Sequence, residues 1–139
     1  MSVIVVGVDG SPNSLVAVEW AVNQARRVGA EVVAVHALGL LEKIHPDSAA
    51  VPAQPHLHEI QELFETVWCA PLVTAGLTYR TELRYGSGVP VLLEIADDTE
   101  ADLIVVGSRG LGGNPELLLG STSTQVAQHS HRPVTIVPS

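Results

Sequence analysis

Two stretches of this chain are apolar at every position that is not glycine: Val3-Ile-Val-Val-Gly-Val8 and Leu103-Ile-Val-Val106. A strand with one face in water alternates apolar and polar residues. An unbroken β-branched run therefore needs cover on both faces, the condition of a parallel sheet between helices. Glu31-Val-Val-Ala-Val-His-Ala37 reads the same way. Leu77 to Tyr85 alternates and reads as a less buried third strand, and Pro133-Val-Thr-Ile-Val137 as a short last one. Segments of helical period separate these strands. The order is strand-helix four times and then a strand, which predicts an α/β fold with a parallel sheet, right-handed crossovers and helices on both faces.

The first helix is predicted from about Ser14 to Val28, with Leu15, Val18, Ala21, Val22 and Ala25 inward. Ser11 or Asn13 caps its start and Gly29 ends it. Gly39 to Pro55 carries three prolines and no periodicity, so it reads as a long surface loop. A second helix is predicted over 56–75, with Ile60, Leu63, Phe64, Val67 and Val73 inward and a kink or break at Pro71. Gly86-Ser-Gly88 turns the third strand. Pro90 fits the first turn of a helix carrying Val91, Leu92, Ile95 and Ala96, and Asp97 to Glu100 breaks to solvent. A last helix runs from Ser121 to His129.

With 139 residues and 46% hydrophobic content, the chain is expected to be one domain over 1–139 with a real core. Aromatics are only 4%, so that core is aliphatic. The net charge of −8, with Lys43 the only lysine, argues against nucleic acid and against anionic membrane surfaces as partners. No apolar run approaches the roughly 20 residues of a membrane span. The N-terminus enters strand-like sequence without a basic flank, unlike a signal peptide. Cys69 is the single cysteine, which excludes an internal disulfide and suits a reducing, cytoplasmic setting.

Chemistry concentrates between Gly107 and Ser121. Two glycines, Gly107 and Gly110, follow the buried fourth strand. Nine residues later come Gly120-Ser121 and the hydroxyl run Ser121-Thr-Ser-Thr124. Glycines let the backbone turn tightly and approach a ligand, and a helix start offers N–H groups to an anion. Asn114-Pro115 suits the start of a short turn to Leu119, and Thr122-x-x-Gln125 matches a capping box. Arg109 is the only basic residue of the stretch and can reach a terminal phosphate. Glycines also follow strands for turn geometry alone, so a phosphate cradle and a bare turn both fit the residues. There is no Walker A lysine and no Gly-x-Gly-x-x-Gly, since Val91 stands where the third glycine after Gly86-x-Gly88 would be.

Gly107-x2-Gly110-x9-Gly120-Ser121, with Asp9 ending the first strand, resembles the nucleotide-binding branch of the universal stress protein family. The resemblance covers the whole chain, from Val-Gly-Val-Asp-Gly-Ser through Leu-Leu-Gly-Ser to Pro-Val-Thr-Ile-Val-Pro. It implies an open five-stranded parallel sheet of order 3-2-1-4-5, Rossmann-like and of the adenine nucleotide alpha hydrolase type. It implies ATP or a related adenine nucleotide, AMP and cyclic AMP included, with Mg or Mn held through the phosphates. Asp9 and Ala37 would lie at the adenine and ribose end, with Gly10 and Ser11 in the same loop. Gly107 would lie by the ribose and Val106 under the nucleotide. Gly110, Gly120, Ser121 and Thr122 would contact phosphates, with Ser123 completing the hydroxyl run. Thr122 replaces the valine common there, where contact is through backbone. Asn114-Pro115 replaces an apolar pair and would reshape the rim. A homodimer through strand 133–137 is implied as well. The implied role is nucleotide binding in stress response or dormancy. A slow ATPase or autokinase in the same pocket, and a stress protein acting by protein contacts alone, are the alternatives. No residue stands out as a catalytic base.

Other features read as structural. His56-x-His58 and His129-x-His131 have no completing carboxylate or cysteine at ligand spacing, so no protein-only metal site is expected. His36 reads as a pocket contact or as a satisfied, partly buried histidine. Cys69 reads as packing, and Arg26-Arg27 as a solvated helix end.

Overall fold

The computed structural model describes residues 2–38, 54–109 and 120–138. Within them run β1 (Val3–Gly7), α1 (Pro12–Val28), β2 (Glu31–Ala37), α2 (Gln54–Leu63), a π-helical turn (Phe64–Trp68), α3 (Ala70–Val73), β3 (Tyr79–Arg84), α4 (Gly88–Asp98), β4 (Leu103–Gly107), α5 (Ser121–His129) and β5 (Val134–Val137). The five strands form one parallel sheet of order β3-β2-β1-β4-β5, as expected. Winding runs from β1 outward through β2 to β3, then returns to β4 on the other side of β1. The direction therefore reverses between β1 and β4, where Val5 pairs Ile104 and Val6 pairs Val105.

The unbroken apolar runs have their expected cause. Ile4, Val6 and Val8 pack on one face with Ala17, Val18 and Ala21 of α1 and with Phe64, Cys69 and Leu72. Val3 and Val5 point to the other face, with Leu92 and Ile95 of α4 and Val126 of α5. Each buried Val, Leu, Ile or Phe among them contributes about 1.5–3 kcal/mol relative to exposure.

Ser11 is the N-cap of α1: its Oγ accepts from the Ser14 N–H at 3.1 Å, and Pro12 follows in the first turn. The buried face of α1 is Ser14, Ala17, Val18, Ala21, Val22 and Ala25, while Leu15 is exposed. Gly29 closes the helix with φ 70°.

Several expectations are corrected. The second helical segment is not a single kinked helix. It passes through a π-helical turn, where one extra residue per turn shifts the inward face. Phe64 and Cys69, five apart, are both buried, with Leu72 following. Leu63, Val67 and Val73, expected inward, are exposed. The segment starts earlier than predicted, with Gln54 and Pro55 already helical, because proline is accommodated where an N–H has no partner. Pro71 likewise sits in the first turn of α3 instead of inside a helix. β3 is shorter than predicted. α4 runs on through Asp97 and Asp98 to a Thr99 cap. The capping box at Thr122 does not form. Gly120 is the N-cap of α5, so Thr122 lies inside the first turn, and the Gln125 amide donates to Ser121 Oγ at 3.0 Å. Residues 39–53 of the expected loop, and the expected turn at 115–119, lie outside the described residues.

Candidate functional site

The reversal point between β1 and β4 opens into a cleft of about 690 Å³, counting the space open to solvent. Val8, Val35, Leu92 and Val106 give it apolar walls. Asp9, His36 and Ala37 line it at the ends of β1 and β2. Gly107 and Arg109 line it after β4, and Gly120, Thr122 and Ser123 at the start of α5. Among the described residues, Asp9 and Arg109 are the charged members of this lining.

Of the residues singled out in the sequence, Asp9, Ala37, Val106, Gly107, Arg109, Gly120, Thr122 and Ser123 thus meet at one cleft. Gly10 and Ser11, in the turn after β1, are not part of its lining, and Ser121 is exposed at the start of α5. Gly110 lies outside the described residues.

The turn after β1 is locked from within. Asp9 Oδ1 accepts from the Ser11 N–H at 2.9 Å, and the Asp9 N–H donates to Ser14 Oγ at 3.2 Å. Gly10 has φ +83°, a left-handed backbone that favours glycine. A Cβ there would fall 2.7 Å from Trp68 Cε2. Gly10 is therefore required by packing against Trp68 whatever the cleft holds.

His36 answers both of its readings. It lines the cleft, and its Nδ1 lies 2.7 Å from the Val8 carbonyl oxygen. A carbonyl only accepts, so Nδ1 carries the proton. The ring meets Trp68 edge-on, with centroids 5.0 Å apart, and Phe64 at 5.8 Å.

The glycines after β4 and before α5 are close-approach positions. A Cβ on Gly107 would come within 3.0 Å of Asn13, and one on Gly120 within 3.2 Å of Arg109 Cα and 3.3 Å of the Ser108 carbonyl oxygen. Ser108 is the hinge of this arrangement. Its carbonyl accepts from the Gly120 N–H and from Ser123 Oγ, the latter at 2.9 Å. Gly120 N–H and the Ser123 hydroxyl are thus engaged inside the protein. The Arg109 N–H is engaged too, donating to Asn13 Oδ1 at 2.6 Å. The first intrahelical bond of α5 runs from the Thr124 N–H to the Gly120 carbonyl at 3.1 Å. Ser121, Thr122 and Ser123 therefore present the N–H groups that a helix start cannot satisfy internally, at the positive end of the helix dipole.

Residues that the sequence did not single out as site residues complete the arrangement. Asn13 does not cap α1; its side chain crosses to Ser108 and Arg109, partners 95 and 96 positions away. Leu92 and Gly88 of α4 join the cleft wall. The apolar period of α4 marked Leu92 as core and could have suggested it; nothing local marks Asn13. Cys69 is fully buried, and burial, with a further contribution from the Glu65 charge, pushes its thiol up to about 12. Among the described residues no group of three or more His, Cys, Asp or Glu is placed to hold a metal ion, and no helix is long and apolar enough to cross a membrane.

Comparison with known proteins agrees with this geometry. The universal stress protein family model matches residues 1–138. Universal stress protein Rv2623 of Mycobacterium tuberculosis is 35% identical over 140 residues, covering 96% of this chain and 46% of that protein. The chain spans about half the length of most curated relatives it matches. A universal stress protein crystallised in complex with cAMP is 31% identical, with a TM-score of 0.69 over 98% of this chain and 95% of that one. The hypothetical protein MJ0577 shares the fold at 22% identity, with a TM-score of 0.85 over 99% of this chain and 96% of that one. With its sheet order, its cleft at the reversal point and a family match along nearly its whole length, the chain belongs to the universal stress protein family.

Proposed function

We propose that this protein binds an adenine nucleotide, with ATP the fullest occupant of the cleft, and serves as a nucleotide-responsive member of a stress or dormancy response. One observation carries the reading: the start of α5, at Gly120, Thr122 and Ser123, lines the same cleft as the apolar walls of Val35, Leu92 and Val106. Backbone N–H groups there suit phosphate oxygens without formal positive charge, so the net charge of −8 is no obstacle. The apolar walls suit a base, and the strand ends at Asp9 and Ala37 suit a base and ribose. The cAMP complex of a 31% identical chain supports the ligand class.

Arg109 would meet the outermost phosphate. A divalent cation, Mg or Mn, would be held through the phosphates, since among the described residues the cleft lining supplies a single carboxylate, Asp9. Pairing of β5 edges between two copies would cover a strand edge that otherwise exposes backbone groups. A cytoplasmic location fits the lone buried thiol.

The test is to purify the protein, identify any co-bound nucleotide by mass spectrometry, and titrate ATP, AMP and cyclic AMP by calorimetry. Binding of at least one, lost in Gly120→Val, is expected. No binding by any of them would defeat the reading. Conversion of bound ATP over hours, abolished by the same variant, would move the protein to the slow ATPase class.

A further inference from the structure

Asn13 holds together three parts of the chain that sequence order keeps apart. Its Oδ1 accepts from the Arg109 N–H at 2.6 Å and from Ser108 Oγ at 3.2 Å, and its Nδ2 donates to the Val137 carbonyl at 3.4 Å. The backbone N–H of Arg109 can only donate, which fixes the orientation of the amide. The side chain is buried and does not line the cleft; it lies behind Gly107.

We propose that Asn13 is a positioning residue that sets the phosphate end of the nucleotide cleft from behind its wall. This rests on the nucleotide-binding reading above. Asn13 fixes Ser108 and Arg109, and the Ser108 carbonyl in turn fixes Gly120 and Ser123. The donor turn of α5 is therefore placed relative to β4 through a relay that begins at Asn13. The base end is built separately, on Asp9, His36 and Ala37. A defect at Asn13 is then felt at the phosphates and not at the base. The tie to Val137 places the end of β5 in the same relay.

The test uses Asn13→Ala and Asn13→Asp in the full chain, with adenosine, AMP and ATP titrated into each. Loss of a buried bonded pair predicts that Asn13→Ala weakens ATP about tenfold or more and adenosine less than about threefold. Asn13→Asp keeps the acceptor but sets a negative charge behind the loop, so ATP should lose more than AMP, and less so in high salt. Hydrogen exchange of the Arg109 amide supplies a readout that needs no ligand. It should accelerate in Asn13→Ala and stay protected in Asn13→Asp. Equal loss for ATP and adenosine, or an unchanged Arg109 amide in Asn13→Ala, would overturn the proposal. Failure of the wild-type protein to bind any of the three would overturn the nucleotide reading itself and with it the phosphate role of Asn13. The Arg109 amide would still show whether Asn13 holds the loop.

Discussion

Replacing Gly10 by alanine tests how the turn after β1 is built. Gly10 has φ +83°, and a Cβ there would fall 2.7 and 2.8 Å from Trp68 Cε2 and Cζ2. Carbon atoms in contact sit about 3.5–4.0 Å apart, so either the turn or the indole must move. The indole is not free to swing, because His36 and Phe64 pack against it. The left-handed backbone costs an alanine about 1–2 kcal/mol, and overpacking adds about 1–3 kcal/mol. Gly10→Ala should thus lower stability by about 2–5 kcal/mol. Urea melts of the wild type, Gly10→Ala, Trp68→Leu and the double variant separate the two parts. In the Trp68→Leu background only the backbone cost remains, so the coupling should be about 1–3 kcal/mol. If Gly10→Ala costs the same in both backgrounds to within about 0.5 kcal/mol, the contact with Trp68 does not explain the glycine.

Three further outcomes follow from the same geometry. Ser11→Ala removes the α1 cap and should cost about 1 kcal/mol by urea denaturation, with Ser11→Asp close to neutral. Gly107→Ala drives a methyl into Asn13 and should cost about 1–3 kcal/mol, while weakening ATP more than adenosine in calorimetry. The unfolded Cys69 thiol loses its proton near the ordinary 9.0, whereas the folded one keeps it to about 12. The native state then holds one more proton across that window, so stability should fall with rising pH by about 1.4 kcal/mol per unit. Cys69→Ala should lack that component, and the native thiol should resist aromatic disulfide reagents at pH 8.

Much of the fold was legible because its cause is local. Unbroken runs such as Val3 to Val8 can only be buried on both faces, and the alternation with helices then leaves few topologies. The sequence misplaced Leu63, Val67 and Val73 because a π-helical turn keeps helical composition while changing the period. No residue between Phe64 and Trp68 announces that change. The strand-end residues of the cleft could be named because glycine spacing and strand ends are visible in one dimension. The use of each donor could not be read. Nothing in the run Gly120 to Thr124 shows that the Gly120 N–H and the Ser123 hydroxyl are both bonded to the Ser108 carbonyl. Asn13 looked like a cap because its neighbours are turn formers, while its true partners lie more than ninety positions away.

The Ser108 carbonyl accepts two hydrogen bonds, and that bears on how the cleft can open. Together they tie the end of β4 to the start of α5, so these two walls part only if both bonds break. Each is worth about 0.5–1.5 kcal/mol net. A ligand that pries these walls apart must therefore offset about 1–3 kcal/mol.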